Sequence, residues 1–194
     1  AQLNDSKTGD FKKESKLYEK AERDFPDNDN IIMCQAILSL SEGDTVAGSQ
    51  YTERYKTIRK NNSHPAAFIT TGLAFIYSEA DSLDIAEEYY RKSLTLLPEH
   101  PDMINNIAYF LIDKNRNISE GLDIINTALE FSPDNHKYLH TKGWGLYKQG
   151  NYKEALEILE RSWDLRREYA RYNHDAYLQL EAAKNALANQ NSEQ

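Results

Sequence analysis

Apolar positions along the chain recur with the periodicity of an α-helix and are separated by short polar breaks. Leu73, Ala74 and Tyr77 lie at positions i, i+1 and i+4, which places their side chains on one helical face. A polar break follows, and a second helical pattern of apolar residues ends just before Pro98, a residue that a helix rarely continues into. The segment 67–100 is therefore predicted to form two helices joined by a tight turn.

Three kinds of position repeat along the chain at intervals of 34 or 35 residues. The two helices of each predicted pair both carry a small residue, and these residues are Ala74 with Ala86, Ala108 with Gly121, and Gly143 with Ala155. An aromatic residue follows the small residue of each first helix: Phe75, Tyr109 and Trp144. Because small side chains let two helices approach closely, we expect each pair to meet across its hairpin.

This pattern resembles that of the tetratricopeptide repeat family, whose unit is a helix–turn–helix of about 34 residues. The last unit matches best, with Gly143, Gly150 and Ala155 at family positions, although Arg167 stands where a closing proline is usual. The runs beginning at Asn105 and Gly143 look like those of a bacterial-type subtype. The resemblance implies an all-α fold, an α-solenoid of about four and a half tandem helix–turn–helix units with a C-terminal capping helix.

The repeats leave no room for a linker, so a single solenoid domain over 1–194 is predicted. It comprises, in order, a leading helix, four repeats and a capping helix: 1–28, 29–66, 67–100, 101–135, 136–169 and 170–189. The capping helix should cover the last apolar face and turn a polar surface to solvent, formed by Gln179, Glu181, Lys184 and Asn185. The pattern starts in mid-repeat at Gly9, which indicates either a truncated protein or a first helix that serves as a cap.

Charge and composition narrow the class of partner. The 194 residues include 23 Lys and Arg against 31 Asp and Glu, a formal net charge of −8 at pH 7. Such a chain is disfavoured on nucleic acid and on anionic membranes, since both attract basic surfaces. Apolar runs reach only about six residues, far short of the roughly 20 that a membrane helix needs. We therefore expect a protein or peptide partner, no nucleic acid and no transmembrane segment.

The sequence leaves two cellular compartments open. Cys34 is the one cysteine, which rules out an internal disulfide, and together with the acidic charge it suits the cytoplasm. A chain that begins Ala1–Gln2, with repeats of bacterial type, favours the bacterial envelope or periplasm. The envelope is the preferred prediction, and the cytoplasm is the alternative.

Residues that could carry catalysis or hold a cofactor are sparse. His136 and His140 lie four residues apart on a predicted helix, a spacing that can direct two imidazoles at one metal ion, so a metal site is a remote alternative. Cys34 lies in an apolar helix without a local base, and the chain has no glycine-rich phosphate loop. We expect no enzyme activity and no cofactor.

The aromatic ladder is the strongest candidate for a binding surface. In the repeat family, the residue after the small packing residue points into the concave groove, so the resemblance implies this position for Phe75, Tyr109 and Trp144. It also places further residues beside them, about one helical turn away: Asn105, His140 and Tyr147. Aromatic side chains offer a large contact area at low entropic cost, which suits a peptide ligand. The alternative is that the rings fill the interior of the superhelix.

The sequence supports two functional interpretations. In the first, the chain is a non-catalytic protein–protein interaction module that binds a peptide segment or a helix of a partner in its concave groove. In the second, it is a structural or assembly domain of a larger bacterial protein that packs through its ends or its convex face. Some members of the family hold a partner's C-terminal carboxylate in a clamp of Lys and Asn, but only Asn106 and Lys137 match here, so such a clamp is not expected.

Overall fold

The chain folds into α-helices. The computed structural model describes residues 11–169 and 173–192, and over these residues it contains ten helices and no strand. The helices are α1 (Phe11–Asp24), α2 (Asp29–Ser41), α3 (Thr45–Asn61), α4 (Ala66–Glu79), α5 (Leu83–Leu96), α6 (Pro101–Asp113), α7 (Ile118–Phe131), α8 (His136–Lys148), α9 (Tyr152–Tyr169) and α10 (His174–Ser192). The all-α prediction is confirmed. Gly9, where the repeat pattern starts, lies outside the described residues. None of the described helices is both long and apolar enough to cross a membrane.

Consecutive helices pair into four hairpins: α2 with α3, α4 with α5, α6 with α7 and α8 with α9. Small residues lie at the contacts, as predicted. A Cβ added at Gly121 would lie 2.9 Å from the Ala108 carbonyl oxygen. A Cβ added at Gly143 would lie 2.7 Å from Leu159 Cγ and 3.3 Å from the Ala155 carbonyl oxygen. All three distances are shorter than ordinary van der Waals contact, so glycine permits the close approach of these helices.

Each hairpin turn contains one residue in the left-handed region of backbone conformation. Glycine takes this position in two hairpins, with φ 82° at Gly43 and 83° at Gly150. Asp81 and Asn115 take this position in the other two hairpins, with φ 58° and 53° respectively. Asp and Asn are the side-chain-bearing residues that adopt this conformation most readily. The four turns therefore share one backbone design although their residues differ.

The described helices form two compact units, Ala1–Leu97 and Pro98–Gln194. The core of the first unit joins α2, α3 and α4, and it contains Ile32, Ala36, Ile37, Tyr55, Ile58, Leu73 and Ile76. The core of the second unit joins α6, α7, α8 and α9, and it contains Ala108, Ile112, Leu122, Ile125, Ala128, Tyr138, Leu146 and Ala155. The organisation of 1–194 as one domain stays a prediction.

The last helix closes the second unit. Leu180 and Ala183 of α10 pack with Leu159 of α9 and form a small apolar cluster of their own. The capping helix is predicted over 170–189, and the helix that the structure describes there runs from His174 to Ser192. One face of α10 thus packs against α9, and the positions of the polar side chains of α10 follow from their spacing relative to this buried face.

Candidate functional site

The residues of the predicted groove belong to three helices. Phe75 lies on α4 in the first unit, and 37% of its surface is exposed. The other five lie on two packed helices of the second unit, Asn105 and Tyr109 on α6, and His140, Trp144 and Tyr147 on α8. The structure therefore brings five of the predicted residues into one unit, and these five are termed the α6/α8 face below.

The α6/α8 face borders the core without being part of it. Ala108 is 0% exposed and Gly143 is buried, whereas the next residues in the chain, Tyr109 and Trp144, are both partly exposed. Consecutive helical residues point about 100° apart, so the small residue can face the partner helix while the aromatic residue faces outward. All five residues of the face retain some contact with solvent.

Side-chain contacts join α6 to α8 within this region. Thr141 Oγ1 donates a hydrogen bond to Asn105 Oδ1 over 2.9 Å. The rings of Tyr109 and His140 stack, with their centroids 6.1 Å apart and their planes 22° apart. These contacts orient the side chains before any ligand binds, which lowers the entropic cost of binding.

Contacts within the chain fix the position of the Trp144 side chain, which remains partly exposed. Its Nε1–H donates to Asp113 Oδ1 over 3.0 Å, and its ring stacks on Tyr147 with the centroids 4.8 Å apart. The Lys148 ammonium lies 5.2 Å from the Trp144 ring centroid and donates to the Asp113 carbonyl oxygen over 2.7 Å. The indole also packs against the core of the second unit. Trp144 therefore supports the fold as well as bordering the open face.

Gln179 is an additional residue of this region, and its predicted position on the solvent side of α10 is wrong. It is predicted on the solvent side of the capping helix, but it is partly buried and its Nε2 donates to the Tyr109 hydroxyl over 3.2 Å. The reason is its register, because Gln179 lies three residues after Ala176 and four before Ala183, both of which are buried. This spacing is the sequence signal that could have placed it beside the core.

The pKa values of both histidines of α8 lie below the ordinary value of 6.5. Burial lowers the pKa of His140 to about 4, and the charge of Arg166 adds to the lowering, which a contact with Gln179 opposes. Burial also lowers the pKa of His136, with further lowering from Arg166 and Lys137. A nearby guanidinium disfavours a metal cation at this histidine pair. Within the described ranges, no three His, Cys, Asp or Glu side chains come together as a metal-ligand set.

Three buried polar atoms on α8 and α10 have no hydrogen-bond partner among the described residues: His136 Nδ1, His140 Nε2 and Gln179 Oε1. A neutral imidazole nitrogen can donate or accept according to its tautomer, and a carboxamide oxygen accepts. A buried polar atom without a partner costs about 1–3 kcal/mol. The region can therefore gain hydrogen bonds from a polar ligand that reaches these atoms.

Comparison with known proteins identifies the architecture. A family model described as tetratricopeptide repeat matches residues 137–174. The segment that matches the family model includes the hairpin of α8 and α9, and the other three hairpins have the same helix–turn–helix architecture. The first such domain of Spaghetti (RPAP3), solved bound to an HSP90 peptide, is 20% identical with a TM-score of 0.52, and the match covers 63% of this chain and 93% of that chain. YrrB, described as having an unusual peptide-binding site, is 14% identical with a TM-score of 0.53, and the match covers 94% of this chain and 88% of that chain. These likenesses confirm the predicted solenoid of helical repeats.

One curated relative shares sequence over most of the chain. The chain is 29% identical over 173 residues to the AimR transcriptional regulator of Bacillus phage phi3T. The alignment covers 82% of this chain but 42% of the regulator. The chain thus spans less than half the length of that relative.

The tetratricopeptide-repeat fold is that of protein–protein interaction modules, which are generally non-catalytic. Two residues match positions of the family's carboxylate clamp, Lys137 and Asn106, and they lie in different surroundings. The Lys137 ammonium lies 3.9 Å from Asp102 Oδ1 at the surface, and Asn106 is partly buried on α6. The carboxylate of Asp102 thus already lies near Lys137, the positively charged residue that matches the clamp.

Proposed function

We propose that the chain binds a peptide segment or a helix of a partner protein on the α6/α8 face. Tyr109 and Trp144 provide ring surfaces for apolar side chains of the partner, and Asn105 and His140 provide hydrogen bonds to its polar groups. Tyr147 stacks on Trp144 and holds the indole in place. The observation that carries the proposal is the partial exposure of these five side chains beside fully buried neighbours on the same helices.

Phe75 has the corresponding role in the first unit under this proposal. Its ring follows the fully buried Ala74 on α4, as Tyr109 follows Ala108 on α6. With 37% of its surface exposed, Phe75 is among the large apolar residues that the described core leaves open to solvent. An exposed aromatic at an equivalent repeat position is what a repeated binding surface requires.

Two tetratricopeptide-repeat relatives support a peptide as the partner. One was solved bound to an HSP90 peptide, and the other is described by its peptide-binding site. The likeness to AimR, a transcriptional regulator, suggests that partner binding by this chain serves regulation. We assign protein binding rather than DNA binding to this chain because its net charge of −8 opposes association with a polyanion.

The experiment starts from a phage-displayed library of random dodecapeptides, selected on the whole chain. Affinity for the best peptide is then measured by calorimetry for the parent and for Tyr109→Ala and Trp144→Ala. A central aromatic contact is worth at least about 2 kcal/mol, so each variant should bind roughly 30-fold more weakly. Phe131→Ala is the matched control, because this ring is 83% exposed at the end of α7 and lies outside the α6/α8 face.

Melting curves come first, because Trp144 also supports the fold through Asp113. Variants that remain folded and bind the peptide as tightly as the parent would contradict the proposal. Loss of binding in Phe131→Ala alone would instead favour packing through the ends or the convex face, the structural interpretation.

A further inference from the structure

A second candidate site lies between the last two helices, apart from the α6/α8 face. A cleft with a volume of about 270 Å³ opens between α9 and α10. The floor of the cleft is Leu180, which is 5% exposed. Its walls carry aromatic and charged side chains, Glu160, Trp163 and Asp164 from α9 and Tyr177, Glu181 and Lys184 from α10.

The register of α10 separates this cleft from the α6/α8 face. Gln179 contacts Tyr109, and Tyr177 and Glu181 lie two residues before and after it. Helical residues two positions apart point about 200° apart, so Tyr177 and Glu181 project from the other flank of the helix. Between the two flanks, Leu180 packs on α9. The cleft is therefore a different surface from the one proposed for the peptide.

The charge of the cleft matches a cation. Three carboxylates and one ammonium line it, which gives a formal charge of −2. The ammonium of Lys184 lies 3.0 Å from Glu181 Oε1, and the charge of Glu160 also contributes to raising the pKa of Lys184. Glu160 and Asp164 remain one helical turn apart on α9 and provide four carboxylate oxygens on the same wall.

The aromatic walls favour a planar cation. The rings of Trp163 and Tyr177 have centroids 6.0 Å apart and planes inclined by 53°, so they form two sides of a corner. A guanidinium group stacks on an aromatic face and also donates paired hydrogen bonds to carboxylates, whereas an ammonium is a compact point charge. Hard metal cations such as Ca²⁺ and Mg²⁺ prefer a cage of oxygen ligands and gain little from indole or phenol rings.

The same chain already uses this combination for one of its own arginines. The Arg59 guanidinium carbon lies 5.8 Å from the Tyr55 ring centroid, and Arg59 Nη1 lies 2.8 Å from Asp29 Oδ2. A tyrosine ring and a carboxylate therefore bind a guanidinium group within the first unit. The cleft presents the same two elements, with a tryptophan added, around an open volume.

We propose that the cleft between α9 and α10 binds an arginine side chain of a partner protein. The guanidinium stacks on Trp163 and donates hydrogen bonds to Glu160 and Asp164, and the aliphatic part of the arginine lies over Leu180. A volume of about 270 Å³ accommodates one such side chain with room for water. The proposal adds a second contact region, with its own chemical requirement, to the chain.

Tryptophan fluorescence provides the test, because the chain has two tryptophans and one of them lines the cleft. In the full chain carrying Trp144→Phe, which a melting curve must first show to be folded because Trp144 also packs on the core, the emission reports on Trp163 alone. Nα-acetyl-arginine amide is titrated in low salt, alongside the citrulline analogue, which has nearly the same shape without the charge, and the lysine analogue. We expect a saturable change with the arginine probe, and binding of the other two that is weaker by about tenfold or more.

Charge-neutral variants locate the response. Glu160→Gln with Asp164→Asn should weaken binding of the arginine probe about tenfold, since each removes an ionic hydrogen-bond acceptor. Glu157→Gln is the matched control, because Glu157 is an exposed carboxylate of the same helix outside the cleft and should leave binding unchanged. An equal response to arginine and citrulline, equal binding of lysine, or a double variant that binds like the parent would each overturn the proposal. None of these variants alters the α6/α8 face other than Trp144→Phe, which is common to all, so the outcome is independent of the peptide proposal.

Discussion

At the scale of single residues, the burial of His140 has a cost that depends on pH. In the folded chain its pKa is about 4, against an ordinary value of 6.5. Between these two values the unfolded chain binds a proton that the folded chain does not, so acidification favours unfolding. The stability that rests on neutral His140 is complete above pH 6.5 and is lost as the pH falls towards 4.

We expect His140 alone to lower the free energy of unfolding by up to about 3 kcal/mol between pH 7 and pH 4. Urea unfolding followed by circular dichroism at several pH values measures this change. His140→Phe retains a ring against Tyr109 and cannot titrate, so its stability should fall less steeply than that of the parent. Parallel pH profiles for the two proteins would show that the protonation of His140 is not linked to unfolding.

The sequence could predict which residues of α6 and α8 adjoin, because each holds a fixed position relative to the small residue of its own repeat. Gln179 lies in no repeat and is 70 residues from Tyr109, its hydrogen-bond partner. Periodicity within α10 could indicate that Gln179 borders a buried face, but only the packing of α10 onto α9 determines which side chain it meets. Contacts between equivalent positions of consecutive repeats can thus be predicted from the sequence, whereas this contact between a repeat and the capping helix cannot.

At the scale of helices, the hairpins were predictable from the recurring small residues, but the conformation of their turns was only half visible. Gly43 and Gly150 mark a left-handed turn position in the sequence. Asp81 and Asn115 occupy the same position in the other hairpins without a glycine to reveal it. Asp and Asn also occur in ordinary loops and helix caps, so their identity alone does not distinguish these roles.

The close contact at Gly121 gives a prediction whose sign opposes helix propensity. Replacing a glycine inside a helix by alanine normally stabilises the helix by roughly 1 kcal/mol. At Gly121 the new Cβ would lie 2.9 Å from the carbonyl oxygen of Ala108, a backbone atom that can move only with its helix. We therefore expect Gly121→Ala to destabilise the chain by about 1–3 kcal/mol, measured by thermal or urea unfolding.

Gly145→Ala is the matched control on the neighbouring hairpin. A Cβ at Gly145 would lie 2.7 Å from Leu122 Cδ2, 3.0 Å from Leu122 Cγ and 3.1 Å from Ile112 Cδ1, all of them side-chain atoms and none of them backbone. These atoms can rotate away, so Gly145→Ala should cost less than Gly121→Ala. If Gly121→Ala melts at or above the temperature of the parent, α6 and α7 do not approach each other as closely as the small-residue pattern implies.

At the scale of the whole molecule, each compact unit has a core made of its own residues. Ile32 is fully buried in the core of the first unit, and Ile125 is fully buried in the core of the second. In repeat proteins, stability is approximately a sum of local and nearest-neighbour terms, so one region can open without the rest. The sequence predicted the repeats that fill both units but gave no sign of a division near Pro98, because the periodicity continues across it.

This division leads to a prediction about where the chain opens. Ile125→Ala removes three carbon atoms from a fully buried side chain and should cost about 2–5 kcal/mol. Amide hydrogen exchange followed by mass spectrometry should show faster exchange in α6, α7 and α8, with the protection of α2, α3 and α4 unchanged. Ile32→Ala should give the reciprocal result, with faster exchange in α2, α3 and α4.

Ile85→Ala is the control for both variants, because Ile85 is 43% exposed on α5 and its truncation should leave exchange in either unit near that of the parent. Circular dichroism before exchange establishes that each variant is folded at the outset. If Ile125→Ala or Ile32→Ala speeds exchange equally in both sets of helices, the chain opens as one cooperative body, as small single domains do. We expect faster exchange only in the unit that carries the substitution, because the two units have separate clusters of buried residues. That result would show that the core of each unit sets the free energy with which the unit opens.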